Sequence, residues 1–251
     1  MKNKAIKTML VTAVLGTILY NAPTVNAEAV KVYKNNNIDQ VEFEEIVQAN
    51  TDAYNKHMFD KEKQRLANIQ KIEDTKKENI RKENVVFDSD NVGIISNINE
   101  EELEKTLNAF RHGALVDLVP VLIEAEREYK VNVFFLTALI AHESDWGQSN
   151  RAINQNNLGG YEVYTPDSEG ANFSSRESSV YSIAKLLRNN YLNQNGSNHH
   201  GVAVEDINVD YCLYPDGSET DYHWTEDITK IANSFVDYYH NNVKNIEEVC
   251  C

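Results

Sequence analysis

The stretch that most constrains this chain is residues 131–161, which open with an apolar run that ends at a glutamate. Its apolar side chains recur at three- and four-residue spacing, which predicts one buried stripe of a helix. The stripe consists of Val133, Leu136, Leu139 and Ile140. Glu143 occupies the next position on the same stripe, and Gly147 is the expected end of the helix. A carboxyl group is therefore predicted on the buried side of a helix, near its C-terminal end.

Two effects raise the pKa of a carboxyl group in that position. Burial in an apolar wall disfavours the charged form, and the negative end of the helix dipole disfavours it again. A carboxylic acid that stays protonated near neutral pH can protonate a leaving glycosidic oxygen. The pattern is equally compatible with a buried glutamate that a backbone group or an arginine satisfies, because structural networks also shift pKa values.

The residues after the predicted helix form several short motifs at fixed spacing. The run from residue 141 to residue 161 reads AHESDWGQSNRAINQNNLGGY. Its elements are Glu143-Ser144, Trp146-Gly147, Ser149, Ala152 and Asn156-Asn157-Leu158-Gly159. Together they resemble the bacterial endo-β-N-acetylglucosaminidase family, the peptidoglycan hydrolases of glycoside hydrolase family 73. The chain departs from that family after Leu158, where it has Gly159-Gly160 and family members usually have Phe before the glycine.

The resemblance covers residues 96–239 and implies a fold and a catalytic residue. The family's catalytic acid corresponds to Glu143, and the implied fold is that of the lysozyme-like enzymes. The predicted fold class is mainly α: a lysozyme-like helical domain with a small β-hairpin lobe, preceded by a helical spacer. The hairpin is predicted for residues 159–174, where Gly160, Pro166 and Gly170 punctuate short aromatic runs. In the family this segment forms one wall of the substrate groove.

Four regions are predicted along the chain. Residues 1–27 have the features of a signal peptide: a basic start, a short apolar run over residues 8–20 and a small-residue cleavage site at residues 25–27. The other interpretation is an uncleaved N-terminal anchor, and membrane association is expected only in that case. Residues 28–94 form a charged helical spacer, 95–245 the catalytic domain and 246–251 a Cys-containing tail. The expected location is secreted, extracellular or associated with the cell wall.

The spacer has two interpretations. Its charged residues and ragged apolar stripe fit a solvated helix, or a stalk that holds the catalytic domain away from the membrane. The first is favoured, because the stripe is not a sustained heptad repeat.

Net charge excludes some partners. Removal of three lysines with the signal peptide leaves 21 basic against 39 acidic residues, a net charge of −18. This acidity excludes nucleic acid, whose phosphates need basic neutralisation, and leaves the peptidoglycan glycan strand to be held by shape and hydrogen bonds. No metal or cofactor is expected, since the adjacent His199 and His200 lie in a polar loop. The pairing of Cys212, Cys250 and Cys251 stays open.

Aromatic and amide side chains are the candidate substrate-binding groups. The flat rings that sugars could stack on are Trp146, Tyr161, Tyr164, Tyr211, Tyr214 and Trp224. Asn156 and Asn157 offer amide hydrogen bonds to acetamido or hydroxyl groups. Each of these residues is also explicable as core or turn chemistry.

Hydrolysis needs a second function beside the acid: a base, a nucleophile or the substrate's own acetamido group. The candidate carboxylates are Glu162, Asp167, Glu169 and Glu177. Glu177 ranks first because residues 173–178 resemble the family's entry to its next helix, although a glutamate at a helix start is also ordinary. Tyr211 is a further catalytic candidate, since Tyr211-Cys212 matches the position of a Tyr-Ala pair in the family.

The predicted function is a secreted peptidoglycan hydrolase that cleaves the β-1,4 bond after N-acetylglucosamine, with Glu143 as general acid. A lytic transglycosylase that uses Glu143 alone is the alternative within enzymes. A wall-binding or assembly factor without catalysis is the alternative outside them.

Overall fold

The computed structural model describes residues 40–163, 168–212 and 222–244. The chain divides into two compact units, Met1–Lys77 and Glu78–Cys251. The predicted signal peptide, Tyr164, Asp167, Tyr214 and the Cys-containing tail lie outside the described residues. Within the described ranges, the helices are all too short or too polar to cross a bilayer.

The described part of the predicted spacer contains one long helix. Helix α1 (Gln40–Glu83) has 44 residues, about 66 Å at 1.5 Å per residue. Neither glycine nor proline interrupts it, and charged residues cover much of its surface. Several large apolar side chains on it are also exposed, Phe59 by 68%.

Seven further helices of the second unit are described. They are α2 (Glu100–Asn108), α3 (Val119–Tyr129), α4 (Val133–Glu143), α5 (Asn150–Gln155), α6 (Arg176–Leu186), α7 (Val204–Tyr211) and α8 (Tyr222–Tyr238). Short 3₁₀ turns at Arg111–Gly113 and Val116–Leu118 precede α3, and π turns at Leu187–Tyr191 and Tyr239–Val243 follow α6 and α8. The unit is mainly helical, as predicted.

The predicted β-hairpin is not found in the described part of its segment, residues 159–163 and 168–174, which contain no strand. One cross-loop backbone bond is present, from the Ala171 amide to the Tyr161 carbonyl. The side-chain amide of Asn157 occupies the neighbouring positions, because it donates to the carbonyls of Tyr161 and Ala171 and accepts from the Tyr161 amide. A side chain thus holds the loop where a strand ladder was expected.

Helix α4 is the core of this unit. Every residue from Val133 to Ala141 is buried, so the helix is apolar all round and not only on the predicted stripe. Helices α3 and α8 pack against it, α6 packs against α3, and α7 packs against α8. Because neighbouring helices enclose α4, they fix the position of its last residue.

The first turn of α4 is fixed by two buried polar side chains. The Asn132 oxygen accepts from the amide of Phe134, and its nitrogen donates to the carbonyls of Val86 and Ile94. Glu126 Oε1 accepts from the Val133 amide at 2.8 Å. A carboxylate and an amide oxygen at a helix N-terminus satisfy free N–H groups and complement the dipole.

The end of α4 comes at Glu143, earlier than the predicted end at Gly147. Asp145, Trp146 and Gly147 have left-handed backbone, with φ of 48°, 57° and 78°. The Trp146 amide donates back to the Ala141 carbonyl at 2.8 Å, and the Gly147 amide donates to Ser144 Oγ at 2.7 Å. This turn closes the helix and leaves Glu143 as its last residue.

Candidate active site

Glu143 is a partly exposed carboxyl group at the end of a buried helix. Burial raises its pKa, and this effect outweighs two opposing ones, a hydrogen bond from Trp224 and the charge of the neighbouring His142. The carboxyl group therefore favours its protonated form more than an exposed glutamate does. This is the electrostatic environment predicted from the spacing of the apolar stripe.

Trp224 contacts Glu143 directly. It lies in the first turn of α8 and is only 1% exposed. Its indole Nε1 donates a 2.6 Å hydrogen bond to Oε1 of Glu143. The sequence predicted Trp224 as a flat face for a sugar ring, but a ring that is buried in the core offers no such face. The structure gives this residue a contact with the acid instead.

Tyr211 belongs to the same cluster. Its ring centroid lies 5.4 Å from that of Trp224, and its hydroxyl donates to the Gly159 carbonyl at 3.3 Å. Burial raises the pKa of Tyr211, and the nearby charge of Glu143 raises it further. The phenol is therefore neutral across the physiological pH range. The structure thus brings together Tyr211 and Glu143, two of the three residues that the sequence predicted as catalytic.

The Gly159-Gly160 pair lines the cluster from the other side. A Cβ on Gly159 would lie 2.6 Å from Ile183 Cδ1 and 3.4 Å from the Tyr211 hydroxyl. A Cβ on Gly160 would lie 3.6 Å from Glu143 Oε2, and Gly160 has a left-handed φ of +63°. At the point where the sequence departs from the family, the backbone itself approaches the acid, and no side chain intervenes.

Trp146 lies near the end of α4 but in different surroundings. Its ring stacks on Phe110 with centroids 6.2 Å apart and meets the edge of Phe235 at 6.0 Å. The side chain is partly exposed. Its assignment as a sugar-stacking residue stays a prediction.

The two adjacent asparagines differ sharply in exposure. Asn157 is 1% exposed, and its whole amide group is bonded to the backbone of the 161–171 loop. It therefore has no polar group left for a sugar, and its contacts are those of a loop clamp. Asn156 ends α5 with a φ of 53° and donates to the Phe173 carbonyl at 3.0 Å. It is partly exposed, so its amide group can be reached from solvent.

Tyr161 follows the glycine pair and is partly exposed. Its ring meets the edge of Phe173 with centroids 5.7 Å apart. These contacts place Tyr161 in the loop that Asn157 holds. Its role in stacking on sugars stays a prediction.

Glu177, the first-ranked second carboxylate, is exposed in the first turn of α6. A hydrogen bond with Ser175, the N-cap of that helix, lowers its pKa, and the neighbouring Arg176 adds to this effect. Glu177 is therefore ionised at neutral pH. Glu162 and Glu169 are also exposed, in the loop between α5 and α6.

Sequence reasoning missed two features of this cluster. Nothing in the pattern indicated that the Trp224 indole would bond the acid, because the two residues are 81 positions apart. The ring of Tyr191, with its centroid 5.7 Å from that of Tyr211, was also unforeseen. No group of three or more acidic, His or Cys side chains in the described chain has the geometry of a metal site.

Comparison with known proteins identifies the region that carries this cluster. A family model described as glucosaminidase, mannosyl-glycoprotein endo-β-N-acetylglucosaminidase, matches residues 119–236. Two proteins from strains of Streptococcus pneumoniae, one of them serotype 4, are each 28% identical over 140 residues, or 54% of this chain. Both are provisionally named endo-β-N-acetylglucosaminidase, and the match spans 20% and 19% of their lengths. The chain spans about a fifth of the length of these relatives.

The matched region includes Glu143, the glycine pair, Tyr211 and Trp224. It also agrees with the residues on which the family resemblance was based. Residues 119–236 are therefore similar to the glucosaminidase family model, and the chain is similar to the two streptococcal proteins over 140 residues.

Proposed function

We propose that this chain is a secreted peptidoglycan hydrolase that cleaves the β-1,4 bond after N-acetylglucosamine, with Glu143 as the general acid. The observation that carries the proposal is the Glu143 carboxyl at the end of α4, whose pKa is raised by burial and which the Trp224 indole holds. A carboxylic acid kept protonated by its surroundings is the group that glycoside hydrolysis requires at the leaving oxygen. The similarity of residues 119–236 to the glucosaminidase family model supports this reaction class.

The hydrogen bond from Trp224 decides which carboxyl oxygen holds the acidic proton. An indole N–H can only donate, so Oε1 of Glu143 acts as an acceptor in that contact. The proton of the neutral acid then resides on Oε2, the oxygen that faces Gly160. Because glycine has no side chain, the approach to Oε2 from that direction is not blocked by a methyl group. Oε2 is the proposed proton donor to the glycosidic oxygen.

Tyr211 supports the same geometry as a neutral phenol. Its O–H donates to the Gly159 carbonyl, and this bond ties α7 to the loop that faces the acid. The proposed role is to position the Gly159-Gly160 backbone, and through it the substrate, next to Glu143. The Tyr211 oxygen keeps lone pairs that can accept a hydrogen bond from a sugar hydroxyl.

For the second function we keep Glu177 as the candidate carboxylate. It is ionised and exposed, as a base that activates water must be. Glu177→Gln should then lower turnover by roughly 10²-fold or more with little change in thermal stability, since a glutamine can keep a contact with Ser175. Unchanged turnover would assign the second function to the substrate's acetamido group or to another carboxylate.

One observation favours a second candidate reaction, lytic transglycosylation by Glu143 alone. Among the described residues, the groups that shift the pKa of Glu143 are Trp224 and His142, with no second carboxylate. A paired carboxylate close by would raise that pKa by like-charge repulsion. A reaction that runs on a single glutamate and produces an anhydro sugar fits this environment.

The substrate-binding proposals are limited to partly exposed groups. Trp146 and Tyr161 keep exposed ring surface for sugars, and the Asn156 amide is accessible from solvent. The proposed partner is the neutral glycan strand of peptidoglycan, because the chain's acidity disfavours attraction to anionic polymers.

The test is mass spectrometry of purified peptidoglycan digested by the chain and, in parallel, by Glu143→Gln. Glutamine keeps the size of the side chain and an oxygen that accepts from Trp224, so the control differs mainly in the acidic proton. Reducing-end N-acetylglucosamine that is absent with the variant is the expected result. Anhydro-muramyl ends would assign the transglycosylase reaction. No product from either protein, with wall binding retained, would contradict the enzyme and favour a binding protein.

A further inference from the structure

Helix α1 exposes a row of large apolar side chains on one face. Met58, Leu66, Ile69, Ile72 and Ile80 are 44%, 57%, 41%, 56% and 63% exposed. At 100° per residue these five positions fall within an arc of about 120°. Such an arrangement of bulky apolar groups marks an interaction surface more often than a free surface. We call this row the apolar seam.

The charged residues that interrupt the apolar seam follow a symmetric order. Glu62, Arg65, Glu73 and Lys76 fall within the same arc of the helix. Read outward from Ile69, each of these positions has a counterpart of opposite charge at the same distance on the other side. Arg65 and Glu73 are the inner pair, and Glu62 and Lys76 are the outer pair.

The apolar residues obey the same symmetry. Leu66 and Ile72 each lie three positions from Ile69, and Met58 and Ile80 each lie eleven positions from it. If a second copy of the helix runs in the opposite direction and is centred on Ile69, each apolar position of the seam therefore lies opposite an apolar position. Each acidic position lies opposite a basic one. Within a single helix Arg65 pairs with Glu62, but the symmetric counterparts lie six or more positions apart and are not neighbours on the helix surface.

We propose that the apolar seam binds the apolar seam of a second copy of this chain, with the two α1 helices antiparallel and the two-fold axis at Ile69. Ile69 then meets the partner's Ile69, and Leu66 meets the partner's Ile72. Two-fold symmetry requires such a self-complementary surface, in which each contact occurs twice. The inference is independent of the catalytic proposal.

Charge complementarity fixes the antiparallel direction. In that arrangement Glu62 faces the partner's Lys76 and Arg65 faces the partner's Glu73, so the seam contains four opposite-charge pairs. In a parallel pair each of these residues would face its own copy, and like charges across an interface are costly. The charged residues of the seam are the ones that prevent a sustained heptad repeat. In the proposed dimer they specify the register and the antiparallel direction of the two α1 helices. The paired region, residues 58–80, is about 33 Å long.

The first test is analytical ultracentrifugation of the purified chain with two aspartate variants of α1. Ile69→Asp places two carboxylates opposite each other on the axis and should weaken the dimer by at least about a hundredfold. Ala67→Asp is the matched control, because Ala67 is exposed on the opposite face and receives the same residue. The expected result is a dimer for the chain and for Ala67→Asp, and a monomer for Ile69→Asp.

The second test establishes direction. Arg65→Glu should dissociate the dimer, because the introduced carboxylate would face the partner's Glu73, and Glu73→Arg added to it should restore the dimer. The restoration cannot come from within one helix, where Arg65 pairs with Glu62 and not with Glu73. A monomeric chain at all concentrations, equal weakening by both aspartate variants, or failure of the double variant to recover would each overturn the proposal. A monomer would leave the seam to a different partner.

Discussion

The indole Nε1 of Trp224 donates a 2.6 Å hydrogen bond to Oε1 of Glu143, which joins the first turn of α8 to the last residue of α4. This bond has two effects on the acid. It fixes the orientation of the carboxyl group, and it lowers the pKa of Glu143 against the larger effect of burial, which raises it. Burial therefore favours the protonated form of Glu143, and the indole orients its carboxyl group.

The first prediction concerns Trp224→Phe. Phenylalanine keeps an aromatic ring in the core but loses the N–H donor, so the pKa of Glu143 should rise. A general acid works in its protonated form, and the alkaline limb of the pH–activity profile should therefore move to higher pH. Turnover at the optimum should fall about tenfold, because one oriented hydrogen bond to an ionisable group contributes about 1.5 kcal/mol. The measurement is the pH dependence of glycan cleavage.

Tyr239→Phe is the control for this experiment. Tyr239 is also fully buried, but its hydroxyl contacts Glu102 and the Lys82 carbonyl and not Glu143. Its variant should leave the alkaline limb in place. A limb that stays fixed in Trp224→Phe, or that moves equally in both variants, would show that the indole does not tune the acid.

The second prediction concerns the stability of Glu143→Gln. Burial raises the pKa of Glu143 in the folded state above its value in the unfolded chain. Below the unfolded value the carboxyl group is neutral in both states and costs nothing. As pH rises through the folded value, the group must ionise in a buried site and stability is lost. Glutamine does not ionise, so the variant should be more stable than the parent chain at alkaline pH and similar to it near pH 4.

Thermal unfolding at pH 4 and pH 8 measures this difference. For a domain of this size, each kcal/mol added to the free energy of unfolding raises the melting temperature by roughly 2–4 °C. Glu177→Gln is a suitable control, because Glu177 is exposed and its pKa is lowered, so removing its charge should give no gain at pH 8. Equal melting temperatures for Glu143→Gln and the parent chain at pH 8 would contradict a carboxyl group whose charged form is destabilised in the folded state.

The surroundings of the Glu143 carboxyl group could be predicted from the sequence, because they depend on the local spacing of apolar residues and on the position of Glu143 in its helix. The spacing of Val133, Leu136 and Ile140 with Glu143 sufficed to place a carboxyl group at the edge of the core. These features depend on residues within a few turns of each other. The family motif around Glu143 is local in the same sense.

Contacts between distant residues were not predictable in this way. The ring of Trp224 looked like a sugar platform, since sequence alone does not tell whether an aromatic residue points to the core or to the solvent. Asn157 before two glycines looked like turn chemistry or a sugar ligand, and its three bonds to the 161–171 loop depend on the tertiary path of that loop. The burial of Val85 and Val92, which precede the predicted boundary at residue 95, depends on tertiary contacts in the same way.

The third prediction concerns Gly160→Ala. Alanine at a φ of +63° is strained, which costs roughly 1–2 kcal/mol, and its methyl group would lie 3.6 Å from Glu143 Oε2. Both stability and turnover should therefore fall, with turnover reduced at least tenfold if Oε2 is the proton donor. The measurements are the melting temperature and the initial rate of cleavage.

Gly113→Ala separates the two effects. Gly113 also has a left-handed φ, +74°, but its nearest neighbours are Asn108 and Val116, away from the cluster. This variant should lose a similar amount of stability and keep its turnover. If both variants lose turnover alike, backbone strain and not access to Oε2 explains the effect.

The fourth prediction distinguishes a loop clamp from a sugar ligand at Asn157. Asn157→Ala removes three hydrogen bonds to the backbone of Tyr161 and Ala171. The Tyr161 carbonyl keeps its bond from the Ala171 amide, whereas the Tyr161 amide and the Ala171 carbonyl lose this partner, at a cost of about 1–3 kcal/mol for each group that stays unsatisfied. The melting temperature should fall markedly. Asn154→Ala, an exposed residue of α5, is the control and should leave the melting temperature unchanged. A raised KM for glycan with an unchanged melting temperature would instead make Asn157 a substrate ligand.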